Sequence, residues 1–272
     1  MSEEGRIMEN KKDFGKAVQE YWEDPKTVSI IDANLHKIEI DSVCEHLLSS
    51  DHLADIGCGN GEATIEYAKK VKRVTAIERS NQLRAKALES ASKAGLANIT
   101  IQSGDVLEFK NIASFFDAIV TQRLLINLMT WEEQKQAIAN ITDALKVGGR
   151  YIMVENTDQA FQKLNEMRSK VNLSPIPQHW HNKFFDRKKL MSFMDQRFEL
   201  VKEYDFSLYY FLTRVYSQMF ASFQGYGIKA VKDPIFEISD AAARAAYEQF
   251  RDSIQFKDSI STIQVFVFKR VR

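Results

Sequence analysis

From Asn34 to Leu48 the apolar residues Leu35, Ile38, Val43 and Leu47 recur at roughly helical spacing. The apolar run Leu53-Ala54-Asp55-Ile56 then ends at Gly57 and reads as a buried strand. Ile65, Ala68 and Val71 predict a helix, residues 73–78 a second strand, and Leu83, Ala87, Leu88 and Ala91 a further helix stopped at Gly95. Residues 98–102 and 116–121 predict strands three and four. Thr130-Trp131-Glu132-Glu133 has the form of a capping box, where the Thr hydroxyl and a Glu carboxylate satisfy free amides reciprocally. The helix it opens runs through Ile138, Ile141 and Leu145 and ends before Gly148-Gly149, and residues 150–155 predict strand five.

Beyond Glu155 the rhythm changes. Residues 157–195 read as mostly helical, broken by Pro175 and Pro177; 198–206 reads as a strand. Residues 208–258 read as helical, interrupted by Gly225 and Gly227, and the alternation over 261–269 closes with a strand. Repeated strand–helix alternation predicts an α/β fold with a parallel sheet and helices on both faces. The last two strands are expected as an antiparallel edge pair. The two inserted segments exceed what connection requires, and extra helices of this kind are expected to form a cap over a site. One structural domain is therefore expected. It comprises a leader or lid at 1–33, frayed over the charged stretch 1–13, a core at 34–156, a cap insertion at 157–197, and the last two strands with their helical insertion at 198–272.

Composition narrows the classes. The 272 residues are 44% hydrophobic, enough for a sizeable core. Lys+Arg and Asp+Glu each number 37, so no global charge draws the chain to nucleic acid or an anionic membrane. Two cysteines, Cys44 and Cys58, are too few for a disulfide scaffold. No signal-peptide pattern and no apolar run of membrane-spanning length are seen, so a cytoplasmic location is expected. The expected partner is a small-molecule acceptor, without nucleic acid or membrane; a homodimer is compatible with the sequence. His-x-His at His179 and His181 lacks further nearby ligands, so no metal is expected.

The chemistry concentrates at Asp55-Ile56-Gly57-Cys58-Gly59-Asn60-Gly61, between a strand and a helix. Glycines there permit positive φ and let a ligand touch backbone, beside the free amides of a helix N-terminus. A dinucleotide fingerprint would place Gly or Ala at position 62; this chain has Glu62, a negative charge where a pyrophosphate would lie. The ligand expected is one without phosphate. Glu78 ends the next strand, where a carboxylate can accept both hydroxyls of a ribose.

Five segments in order resemble class I S-adenosylmethionine-dependent methyltransferases over roughly residues 34–156. They are Leu53–Gly61, Val74–Glu78, Ser103-Gly104-Asp105-Val106, Phe116–Val120, and Leu145-Lys146-Val147-Gly148-Gly149. The resemblance implies a Rossmann-like seven-stranded sheet of order 3-2-1-4-5-7-6 with strand seven antiparallel. It also implies S-adenosylmethionine as cofactor, across the carboxyl ends of strands one to four. Asp55 with Gly57, Cys58, Gly59 and Gly61 would shape the loop and the methionine end, and Glu78 beside Arg79 would hold the ribose. Asp105 and Val106 would meet the adenine, with Gln122 at the end of strand four. Small-molecule members often fold a leader over the cofactor, which would bring Tyr21 near the methionine end.

Candidates for the acceptor side lie after strands four and five and in the cap. Arg123 sits among apolar residues, where a charge is unfavourable unless paired, so it meets either a structural carboxylate or an anionic substrate. Asn127, His179, Trp180, Asn182, Tyr210 and Arg214 complete the expected substrate contacts. Glu155 and His181 are the candidate bases. The leading expectation is O-methylation of a small polar acceptor, a sugar or other anionic metabolite, as the cap's patchy resemblance to bacterial polysaccharide-modifying methyltransferases implies. Alternatives are N-methylation of a small molecule, RNA or protein methylation, and a non-catalytic cofactor-binding partner.

Overall fold

The computed structural model describes residues 14–27, 31–109, 115–223 and 234–272. The expectations for 1–13 and for Gly225 and Gly227 lie outside the described residues. A mixed sheet is built from β1 (His52–Ile56), β2 (Arg73–Glu78), β3 (Ile99–Ser103), β4 (Phe116–Gln122), β5 (Leu145–Asn156), β6 (Phe198–Asp205) and β7 (Ile263–Arg270). Its order is β3-β2-β1-β4-β5-β7-β6. Pairing is parallel from β3 to β5, and β7 runs antiparallel to both β5 and β6. This is the Rossmann-like arrangement expected from the sequence.

Neighbouring strand residues divide between two cores, because side chains alternate across a sheet. Leu53, Val74, Ala118, Val120, Ile152 and Val265 face one core; Ala54, Ile77, Ile119, Tyr151, Met153 and Phe266 face the other. The first core is covered by α2 (Ala33–Cys44), α3 (Glu62–Ala68) and α4 (Asn81–Ala94), and the second by α5 (Trp131–Ala144). Another helix, α1, precedes them, described over 14–23. Local signals set the helix ends. Asp32 caps α2 by accepting from the Leu35 amide, and Ser80 caps α4, which stops at Gly95 with φ +66°. Thr130 and Glu133 form the reciprocal capping box of α5.

Four boundaries differ from the sequence reading. Helix α2 ends at Cys44 rather than near Leu48. Strand β5 begins at Leu145, because a bulge that includes Gly148 (φ +81°) and Gly149 joins Phe116↔Leu145 to the main register at Ala118↔Arg150. Within 157–195 only α6 (Asp158–Lys170) and α7 (Arg187–Met194) are helical; the proline-bearing stretch between them is loop. After β6 the chain passes through α8 (Ser207–Tyr210), a π-helical stretch at Phe211–Tyr216, α9 (Ser217–Phe223) and α10 (Pro234–Phe250). These inserted helices pack on α2 and on one another. No helix among the described residues is long and apolar enough to cross a membrane.

Gly61 shows how tightly α3 seats on α4. Its φ is +83°, and a Cβ there would lie 3.1 Å from both Cα and Cβ of Ala87. The Gly61→Ala variant is expected to lose about 1–2 kcal/mol from the left-handed backbone alone. A lowered urea midpoint with an unchanged m-value would show it.

Candidate active site

A cavity of about 510 Å³ opens at the carboxyl ends of β1 to β4. Its first wall is the loop after β1. Gly57 has φ +77° and donates its amide to the Ile77 carbonyl at 2.7 Å, which ties the loop to β2. A Cβ on Gly57 would meet Leu124 Cδ1 at 2.8 Å, so only glycine allows that approach. The Gly59 amide donates to Glu78 Oε2 at 2.9 Å, and the Ser80 amide to Glu78 Oε1 at 2.8 Å. Burial pushes the Glu78 carboxyl up, against these two amides. Asp55 accepts from Thr64 Oγ1 at 2.6 Å. Burial pushes its carboxyl up to about 6, with the Thr64 bond opposing and Glu78 reinforcing the shift. Among the cofactor candidates Asp55, Gly57, Cys58, Gly59, Glu78, Arg79, Asp105, Val106 and Gln122 all line the cavity. Gly61 does not: it starts α3 and packs on Ala87.

The far wall comes from β3 and β4. Asp105 accepts from Arg79 Nη1 and from the Leu107 amide, both at 2.9 Å. At the end of β4, Gln122 and Arg123 turn toward α2. Gln122 Nε2 donates to Glu39 Oε2 at 2.5 Å, and Arg123 Nη2 lies 3.4 Å from the same oxygen. Burial alone would raise the Glu39 carboxyl; Arg123, His36 and Gln122 outweigh it and hold the group below the ordinary carboxylate range. Arg123 is also one of the described non-glycine residues with positive φ, at +52°. A backbone strained in this way is a hallmark of sites where side-chain direction matters.

Helix α1 is the roof. Phe14, Val18 and Trp22, one turn apart, line the cavity with Gly15 and Gln19. Three ties hold this helix down. Trp22 Nε1 donates to Asn127 Oδ1 at 3.1 Å, and Ser80 Oγ donates to the Trp22 carbonyl at 3.0 Å. Glu23 accepts the Asn81 and Gln82 amides at the start of α4, at 2.8 and 3.1 Å.

Several expected site residues fall elsewhere, each for a physical reason. Tyr21 points away from the cavity and stacks on His181, with ring centroids 4.3 Å apart. His181 is buried under α1, and burial, with His179 beside it, pushes its pKa down to about 4. His179, Trp180 and Asn182 share this loop, and none lines the cavity; Trp180 packs edge-on against Phe14 and Tyr21. The loop therefore braces the roof from outside. Glu155 is fully buried, and its carboxylate accepts the amides of Leu124, Leu125 and Ile126 at 3.0, 2.7 and 3.3 Å. Burial pushes that carboxyl up to about 8 against those amides. It fixes the turn after β4 and is not a base facing the cavity. Arg214 pairs with Asp32 at 2.5 Å, and Tyr210 donates to or accepts from Thr262 Oγ1 at 2.8 Å. Neither reaches the cavity. Arg123 and Asn127 remain as candidate acceptor contacts within it.

His36, Glu39, Trp22 and Gln19 were missed from the sequence. The signal was present: His36 and Glu39 lie at i and i+3 among the apolar positions Leu35, Ile38 and Ile40, and Phe14, Val18 and Trp22 form an apolar stripe at helical spacing.

Residues 53–149 match a family described as a methyltransferase domain. A relative named as a probable cobalt-precorrin-6B C(15)-methyltransferase (decarboxylating), from Methanothermobacter thermautotrophicus, is 29% identical over 132 residues. That stretch is 47% of this chain and 66% of the relative, just under two thirds of its length. The N-methyltransferase NodS from Bradyrhizobium japonicum, solved with S-adenosyl-L-homocysteine, shares the fold at a TM-score of 0.55 and 13% identity. The match covers 95% of this chain and 99% of NodS. The cyclase SpnF shares it at 0.55 and 21% identity, over 85% and 80% of the two chains. The sheet order and the glycine loop agree with that match: residues 53–149 are similar to a methyltransferase domain, on the Rossmann-like fold that these solved structures share.

Replacing Glu155 separates a structural carboxylate from a catalytic one. Glu155→Ala leaves three amides without partners and is expected to lower stability by about 2–4 kcal/mol. Glu155→Gln keeps an oxygen for Leu124 and Leu125 and is expected to retain most of it. Urea unfolding of both variants measures this; a fully stable Glu155→Ala would return Glu155 to the list of candidate bases.

Proposed function

We propose that this chain transfers the methyl group of S-adenosylmethionine to a small acceptor enclosed beneath α1. The observation that carries this reading is the roof itself. Phe14, Val18 and Trp22 close a cavity whose opposite walls are the glycine loop and the end of β4. S-adenosylmethionine, when bound, supplies an activated methyl on a sulfonium. The chain's own task is then to align the acceptor and exclude water. Glu78 fits the ribose hydroxyls, and Asp55 with Glu78 gives the site negative charge suited to a cationic ligand. Arg79, whose charge acts on Glu78, is itself paired with Asp105 at 2.9 Å. The balance disfavours a phosphate-bearing ligand there.

The acceptor expectation shifts with the geometry. A sugar hydroxyl gains from a base as its proton becomes acidic in the transition state. Both candidate bases, His181 and Glu155, lie outside the cavity. Of the lining carboxylates, Glu133 is held by the capping box of α5. This favours an acceptor that is nucleophilic without giving a proton to an enzyme base in the transition state, a neutral amine or an ionised carboxylate, over a sugar hydroxyl. An enclosed site and zero net charge speak against an RNA or protein substrate.

The test is incubation with methyl-labelled cofactor and fractionated small metabolites, followed by mass analysis of whatever gains a methyl. The cyclase that shares this fold makes the outcome informative. Cofactor binding without any labelled product in any fraction would leave the methyl-transfer reading without support. Glu78→Ala is expected to weaken S-adenosyl-L-homocysteine binding about 10- to 100-fold by calorimetry, the scale of lost hydrogen bonds to a charged group. The pH dependence follows from Asp55. A bound cation favours its ionised form, so cofactor affinity should be full above about pH 6 and fall as pH drops through that value. Asp55→Asn should bind more weakly and lose that slope.

A further inference from the structure

We propose that His36 and Arg123 form a carboxylate-reading floor in this cavity. The inference rests on the methyltransferase reading above and adds to it the group that the ligand presents. The argument starts from the two ring nitrogens of His36. Nδ1 faces Arg123 Nη2 and Gln122 Nε2, each at 3.2 Å. A guanidinium has only donors, so Nδ1 must be the acceptor, and the ring proton of the neutral imidazole sits on Nε2. Gln122 is oriented in the same sense: its Nε2 donates to Glu39, while its Oε1 accepts from the Tyr67 hydroxyl at 3.3 Å. In that tautomer Nε2 is an N–H donor.

That donor has no partner. His36 Nε2 is buried without a hydrogen bond, on a side chain only 10% exposed that lines the cavity. An unsatisfied buried donor is unfavourable unless a ligand completes it. The carboxylate on the Nε2 side is informative. The Glu62 carboxylate lies 4.0 Å from Nε2 on a side chain 56% exposed, so a carboxylate already faces this nitrogen from a position it can readily leave. Arg123, a quarter exposed and lining the same cavity, supplies the second donor, while Glu39 beneath holds its charge in place. Glu39 is therefore a positioning residue. The zwitterionic amino-acid end of the cofactor offers a carboxylate for this floor, and an acidic acceptor offers another.

Calorimetry on the full chain distinguishes the sources. S-adenosyl-L-homocysteine carries the amino-acid carboxylate, and 5′-methylthioadenosine lacks it. If the cofactor is the source, His36→Leu loses about tenfold or more in affinity for the first and nothing for the second. His36→Gln, which offers an amide N–H near the same point, then restores much of the loss. If the acceptor is the source, acetate raises the melting temperature of the S-adenosyl-L-homocysteine complex of the unaltered chain but not that of His36→Leu. Equal loss for both adenosyl compounds would mark a merely structural role and overturn the proposal. So would unchanged affinity for both with no His36-dependent response to acetate. If the unaltered chain binds neither adenosyl compound, the methyltransferase reading fails first and this inference with it.

Discussion

The parallel pairing of β1 with β2 is the constraint on which the site depends. Ile56 opposite Ile77 brings the end of one strand level with the end of the next. Only then can the Gly57 amide reach the Ile77 carbonyl, and the Gly59 amide the Glu78 carboxylate. A slip of one residue would turn Glu78 to the other face of the sheet and leave both loop amides without partners. The loop's left-handed backbone at Gly57, Gly59 and Gly61 is stable because those ties over-determine it.

The same logic extends to β4. Its terminal residues Gln122 and Arg123 are aimed by a buried carboxylate on α2, and the turn that follows is held by another on β5. Glu39 and Glu155 are thus two acids with matching tasks on opposite sides of one turn. Each satisfies donors that would otherwise be buried alone. A carboxylate with three amides around it gives a turn a single geometry, and the cavity wall inherits that rigidity.

The sheet was legible because each strand carries a local signature: a short apolar run, a glycine or acid at its carboxyl end, and a helix start beyond. Order and polarity followed from the resemblance of five such segments. Site residues supplied by strand ends were legible for the same reason. Those set by distant pairing were not. Asp32 lies 182 positions from Arg214, and nothing local in Tyr210 or Arg214 announces that partner. Glu155 reads as a catalytic acid at a strand end until the amides 29 to 31 residues earlier are seen to converge on it. On α1 the expected contact Tyr21 gives way to its neighbour Trp22, since adjacent helical residues point about 100° apart. Trp22 faces in, and Tyr21 faces the His181 loop.

Glu23 gives the roof a further property. A helix N-terminus attracts anions through its free amides, and at α4 that place is filled by the protein's own side chain. Burial would raise the Glu23 carboxyl, but the amides of Asn81 and Gln82 outweigh it and keep it charged. The clasp is thus an internal counter-ion: Glu23 joins the roof to α4 by using the amides that a helix N-terminus otherwise offers to an anion.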